Sequence, residues 1–238
     1  MAICLKYCCL MLLYDNMKSG SPIYVAHADG GDLGYAFRTS FAKAGFKLQS
    51  CLVWKKSQFT LSRTDYQQLT EPLLYGWKPG SAHRWYGGRK QHTVVDLGHP
   101  AIRQHEDGRW SIEVGDQVLI VDGAAKLEES QSNVIFFEKP KRSPIHPTTK
   151  PVGLVEKMLK NSARPGDIVI DSFGGSGTTL IAADRLGMCA RLSELDPRFV
   201  DAICVRYANY TGRVPVHAET GAEFPGDVID KLTASWEK

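Results

Sequence analysis

The chain has 238 residues and a formal net charge of +3, with 43% hydrophobic, 10% aromatic and 23% charged residues. That composition suits one globular domain and excludes a long disordered protein. No apolar run approaches the ~20 residues of a membrane-spanning helix, and the apolar N-terminal stretch lacks the basic leader and small-residue cleavage site of a secretory signal, so the expected location is cytoplasmic. Six cysteines, Cys4, Cys8, Cys9, Cys51, Cys189 and Cys204, form no C-x-x-C pair and have no histidines at zinc spacing. Neither a disulfide framework nor a metal site is expected.

In chain order, Ala2 to Met17 is apolar at helical spacing and is closed by the turn residues Lys18 to Pro22. Pro22 to Ala28 predicts a strand, Phe37 to Ala44 a helix stopped by Gly45, and Phe46 to Trp54 a second strand, a β, α, β order. Trp54 to Lys90 is basic and aromatic: Lys55, Lys56, Arg63, Lys78, Arg84, Arg89 and Lys90 are interleaved with Phe59, Tyr66, Tyr75, Trp77, Trp85 and Tyr86. From Gln91 to Glu138 acids outnumber bases nine to three, and Trp110–Val114 and Gln117–Val121 flank Gly115 and Asp116 as a hairpin would. This block reads as a small β insertion. After the proline-rich Lys139 to Pro151, the pattern predicts a helix over Val152 to Asn161.

The most informative run is Asp167–Asp171, then Ser172-Phe-Gly-Gly-Ser-Gly-Thr-Thr179, then Leu180–Leu186 and Ala190–Glu194. A continuous apolar strand, a glycine turn, a helix and a further strand predict an α/β fold with a mostly parallel sheet and helices on both faces. Gly174, Gly175 and Gly177 remove side chains where a ligand would lie against the amides opening a helix. The turn has no lysine before Thr178, which disfavours a P-loop, and Leu180 stands where the third glycine of a dinucleotide fingerprint belongs, which disfavours a nicotinamide enzyme. Glu194 lies about where a ribose-binding acid is found, roughly 20 residues beyond such a turn. A phosphate-free adenosine ligand fits this pattern.

Asp171–Thr179, Glu194-Leu-Asp-Pro-Arg-Phe199 and His146-Pro-Thr-Thr-Lys-Pro151 resemble the S-adenosylmethionine-binding motifs of the bacterial and phage DNA methyltransferases that modify adenine N6 or cytosine N4. Ile23–Asp29, Leu52–Lys56, Asp65-Tyr66 and Glu71–Trp77 are similar to segments of the same family that precede those motifs. The resemblance implies a Rossmann-like methyltransferase fold in permuted order, catalytic half first. It implies one domain over 1–238 that is N-terminally incomplete, with the insertion over 91–138 in the place of the target-recognition region and the cofactor-binding half over 139–212.

By the same resemblance the cofactor, S-adenosyl-L-methionine, is held by His146, Pro147, Thr148, Lys150, Asp171, Phe173, Gly174, Gly175, Ser176, Gly177, Thr178, Glu194 and Asp196. Glu194 would take the ribose, Asp171 the amino group, and the residues around His146 the methionine end. Ser172 departs from the family's usual proline. The implied partner is double-stranded DNA, with Lys55, Lys56, Arg63, Arg84, Arg89 and Lys90 as candidate phosphate contacts, and neither metal nor membrane is implied. A homodimer or a complementing methyltransferase subunit fits the same reading. The implied reaction is methyl transfer to the exocyclic amine of a flipped base, with adenine favoured over cytosine.

The family's catalytic tetrapeptide, Asp or Ser followed by Pro-Pro-Tyr or Phe, is absent from this sequence. The nearest fragments, Asp15-Asn-Met-Lys18 and Asp65-Tyr66, have no paired prolines, and no catalytic residue is assigned. Either an upstream segment supplies the motif, the favoured reading, or the chain is a non-catalytic cofactor- and DNA-binding remnant or subunit.

Overall fold

The computed structural model describes residues 2–60, 65, 67–89, 91, 93–95, 102–104, 109–114, 117–121 and 149–236. The first part runs α1 (Ala2–Asn16), β1 (Pro22–Ala26), α2 (Leu33–Lys43), β2 (Lys47–Thr60), β3 (Gln68–Trp77) and β4 (Val94–Val95). These strands form one sheet in the order β1-β3-β2-β4. β3 is antiparallel to both neighbours, pairing Tyr24 with Tyr75 and Leu52 with Leu73, while β4 is parallel to β2. This half of the sheet is therefore mixed where a mostly parallel one is expected. Periodicity does not mark β3 as a strand, because Pro72 to Trp77 is buried on both faces and reads as a continuous apolar run.

Successive residues of β3 face opposite layers. Leu74 is fully buried with Ile23, Leu10, Phe41, Ala44 and Phe46, which places α1 and α2 on one face. Its neighbour Leu73 packs with Trp54 and with Leu154 of α3 (Val152–Ser162), and Ala26, Leu52 and Met158 complete that second cluster. Helices thus cover both faces. α2 starts at Leu33, four residues before its periodic apolar pattern, because Gly30, Gly31 and Gly34 obscure its first turn.

Within the acidic block, β5 (Ile102–Gln104), β6 (Trp110–Val114) and β7 (Gln117–Val121) form an antiparallel three-stranded sheet. The expected hairpin is present, with Val114 opposite Gln117. The remainder of the block lies outside the described residues.

The last part holds β8 (Ile168–Asp171), α4 (Thr178–Arg185), β9 (Cys189–Leu192), α5 (Pro197–Thr211) and α6 (Gly226–Trp236). β8 and β9 are parallel, pairing Val169 with Ala190 and Asp171 with Leu192, and α4 crosses between them as the glycine pattern requires. Asp196 caps α5 by accepting from the Arg198 amide, Pro197 occupies the first turn, and Gly212 ends the helix at φ 70°. These residues are a cap, a first-turn proline and a terminating glycine, and the helix they bound is not among the elements expected from the sequence.

Candidate cofactor site

The site is built where β8 ends and α4 begins. Gly177 takes φ 75° as the N-cap of α4, and a side chain there would meet Ile203 of α5 at 3.0 Å. A left-handed residue pressed against a neighbouring helix admits glycine alone at little cost. Gly174 is closed in the same way, with Ile203 3.1 Å and Leu192 3.4 Å from its missing Cβ. The turn is tied to the next strand by the Gly174 amide, which donates to Ser193 O at 2.8 Å.

Three side chains clamp the turn. Asp171 accepts from the Phe173 amide at 3.0 Å and from the Thr179 hydroxyl at 2.6 Å. Glu194, half-buried beyond β9, accepts at Oε2 from the Gly175 amide at 2.7 Å, and at Oε1 from the amides of Leu195 and Asp196 at 2.9 and 3.2 Å. Arg206 of α5 donates from one nitrogen to Ser176 O at 2.7 Å and to the hydroxyls of Ser176 and Thr178 at 3.1 Å each. Burial pushes this guanidinium below its usual range. Thr178 in turn donates to Lys150 O at 3.0 Å, which holds the chain entering α3 against the turn.

The structure gathers Lys150, Asp171, Phe173, Gly174, Gly175, Ser176, Gly177, Thr178, Glu194 and Asp196 around one turn; His146, Pro147 and Thr148 lie outside the described residues. Phe173 is 64% exposed and free to cover a ligand. The carboxylate of Asp196 is engaged by the Arg198 guanidinium at 2.6 Å, whose hydrogen bonds hold it below the usual carboxylate range. Asp171 is likewise engaged within the turn. Thr179 and Arg206 received no role from the sequence. Thr179 is the last residue of the motif, and nothing in the sequence around Arg206 marks it as turned toward the glycine turn.

The proposed DNA contacts separate. Lys56 pairs with Glu71 at 3.3 Å, and Glu71 also meets Lys150 at 3.3 Å. Arg84 pairs with Asp167 at 3.2 Å, ahead of β8 and so at the opposite end of that strand from the glycine turn. Lys55 and Arg89 are exposed, and Arg63 and Lys90 lie outside the described residues. No helix among the described residues is long and apolar enough to cross a membrane, and those residues hold no metal-binding cluster.

A family model for N6/N4 DNA methylases matches residues 7–205. The chain belongs to that family. The type II methyltransferase M2.DpnII of Streptococcus pneumoniae is 27% identical over 155 residues, which cover 64% of this chain and 48% of that protein. M2.LlaDCHI of Lactococcus lactis subsp. cremoris is 23% identical over the same shares. The chain spans about half the length of these curated relatives. The solved complex of M1.HpyAVI with S-adenosylmethionine superposes with a TM-score of 0.55 at 18% identity, covering 84% of this chain and 81% of that one. The cytosine-N4-specific PvuII DNA methyltransferase gives 0.61 at 13% identity, covering 99% and 75%. These likenesses show the Rossmann-like fold of S-adenosylmethionine-dependent methyltransferases.

Proposed function

We propose that this chain carries the cofactor-binding half and most of the scaffold of an S-adenosylmethionine-dependent DNA methyltransferase that acts on an exocyclic amine of double-stranded DNA. The observation that carries the reading is the side-chain-free turn at Gly174, Gly175 and Gly177, with the Glu194 carboxylate held over it by the Gly175 amide. A carboxylate has about four lone-pair sites. Both oxygens are acceptors only, the chemistry that suits the hydroxyls of a ribose. The turn offers backbone amides in place of lysine, which suits a nucleoside without a triphosphate.

When bound, the cofactor supplies an electrophilic methyl group on a sulfonium, transferred directly to the amine nitrogen as the carbon–sulfur bond breaks and the amine loses a proton. The residues of the chain bind and orient. Glu194 fixes the ribose, Phe173 covers the ligand, an aromatic face attractive to a cation, and Arg206 with Thr178 holds the floor of the turn. Rate would come from positioning, since a bound methyl donor and a held amine react as if at very high local concentration. Adenine N6 is favoured as the target on the motifs' resemblance. The likeness to two type II methyltransferases supports a role in restriction-modification.

The test has two arms. Calorimetry is expected to find binding of S-adenosylhomocysteine and none of NAD; binding of NAD alone would refute the reading. Transfer of labelled methyl to plasmid DNA by the 238-residue chain is expected to be absent or very weak, because the Pro-Pro-aromatic tetrapeptide is absent from it. Nucleoside analysis of any product separates methyladenine from methylcytosine. The same absence favours the second reading, a cofactor-binding subunit or remnant.

A further inference from the structure

A cavity separate from the glycine turn lies between the first sheet and α3, beneath the loop that follows β3. Its walls are apolar and aromatic, formed by Leu52, Leu73 and Leu154 and by the rings of Tyr24, Tyr75 and Trp85. Tyr75 stands two residues beyond Leu73 on β3 and so shares the face that α3 covers. Its ring stacks on Tyr24 with 4.8 Å between centroids and meets Trp85 at 5.6 Å, tilted by 49°. The loop is fixed in place as a roof. The Tyr86 amide donates to Asn161 O at 2.7 Å, the Trp85 indole to Gly88 O at 2.6 Å, and the Gln91 amide group to Gly87 O at 3.1 Å. The empty space is about 440 Å³ with the open mouth included, which limits an occupant to a small molecule.

Three polar groups line this apolar space without partners. Tyr75 is 6% exposed, and its hydroxyl makes no hydrogen bond. Its stacked neighbour differs, since the Tyr24 hydroxyl meets that of Ser162 at 2.7 Å. A buried hydroxyl left unpaired carries a desolvation cost that nothing in the free chain offsets. Lys157 is half-buried, and among the described residues neither its ammonium nor the side-chain amide of Asn161 has a hydrogen bond or an ion pair. Burial without a counter-charge pushes the Lys157 ammonium below its usual range. Lys157 and Asn161 are one turn apart on α3, on the stripe that also carries Leu154 and Met158, so their side chains are neighbours.

We propose that this cavity binds a small aromatic carboxylate, its ring against Trp85 and the tyrosine pair and its two oxygens on Lys157, Asn161 and the Tyr75 hydroxyl. The donor set selects the charge. An ammonium, an amide NH2 and a phenol O–H can all donate, and a carboxylate is the small organic group that only accepts. The walls select the ring. A neutral arene would leave the ammonium desolvated and unpaired, and an anion without a ring would forgo the apolar contact that draws a ligand out of water. The site uses side chains of this chain alone and does not rest on the cofactor reading.

Calorimetric titration of the 238-residue chain with benzoate tests the assignment. Saturable binding with a Kd in the millimolar range or tighter is expected. Benzyl alcohol, which keeps the ring without the charge, and acetate, which keeps the charge without the ring, are each expected to bind at least about 10-fold more weakly. Lys157→Met retains most of the apolar stem and is expected to weaken benzoate about 10-fold. Tyr75→Phe is expected to weaken it about 3- to 10-fold while the melting temperature of the free chain stays the same or rises, because an unpaired buried hydroxyl is removed. A saturating level of S-adenosylhomocysteine is expected to leave the benzoate Kd unchanged. No saturation up to about 20 mM benzoate, affinity undiminished by Lys157→Met, or a free Tyr75→Phe chain that melts several degrees lower would each overturn the proposal. Competition with S-adenosylhomocysteine would also overturn it, by placing benzoate at the glycine turn. Failure of S-adenosylhomocysteine itself to bind would count against the cofactor reading and leave this site standing.

Discussion

Replacing Glu194 with glutamine asks whether its carboxylate both shapes the glycine turn and receives the ligand. The three amides it accepts from lie at 2.7, 2.9 and 3.2 Å, on two different oxygens. Glutamine keeps the shape but offers one oxygen and an NH2 group, so in either orientation a donor replaces an acceptor opposite at least one backbone amide. A hydrogen bond to a charged group contributes about 1.5–3 kcal/mol; Glu194 is half-buried, and solvent screening places the loss near the lower end, about 1.5–2 kcal/mol. Expressed in affinity, that is a rise in Kd for S-adenosylhomocysteine of about 10- to 30-fold. Expressed in stability, it is a fall in Tm of about 3–8 °C for a domain of this size. Calorimetric titration beside thermal melts reads both, and Glu194→Ala is expected to exceed Glu194→Gln in each. A glutamine variant that melts lower but binds the ligand unchanged would reduce Glu194 to a structural clasp, and one unchanged in both would refute the geometry.

Gly177→Ala is expected to cost about 1–2 kcal/mol from its left-handed conformation, with a further penalty where the new Cβ meets Ile203, measured as a lowered denaturant midpoint together with weaker ligand binding. Leu154→Ala, which opens a void between α3, Trp54 and Leu73, is expected to lose about 2–5 kcal/mol in chemical denaturation while leaving the ligand Kd of the folded fraction unchanged. Burial holds the Tyr24 hydroxyl well above its ordinary value, against the opposing effect of its bond to Ser162. The unfolded chain ionises this tyrosine first, so its contribution is complete below about pH 10 and is lost as pH rises beyond that. Tyr24→Phe is expected to decline less between pH 8 and pH 11 than the parent chain, and an equal decline would assign the alkaline loss to other groups. DNA binding is expected to weaken steeply with salt, and Lys55→Ala to reduce the slope by about one. A slope that Lys55→Ala leaves unchanged would remove Lys55 from the interface.

The elements around the cofactor turn were legible because their causes are local. A glycine turn and a short apolar strand are demands that a few adjacent residues place on their own backbone, and Gly177 after Asp167–Asp171 states them by identity, whereas the helix that begins at Pro197 was not expected. β3 was harder, because burial on both faces erases the alternation by which a strand announces itself. In the basic aromatic stretch, Trp77 and Tyr75 are core residues, and Lys56 and Arg84 pair with acids within the molecule.

What the amino-acid order determined alone is the α/β class, the glycine turn, and a carboxylate placed one strand beyond it. Only the folded chain could decide that Arg206, 30 residues away, holds Ser176, and that Arg84 reaches both Gly20 and Asp167, ahead of two different strands. Those facts depend on which faces stack and at what spacing. A pairing between distant residues is set by the sum of many packing contacts, and no residue type records it where it stands.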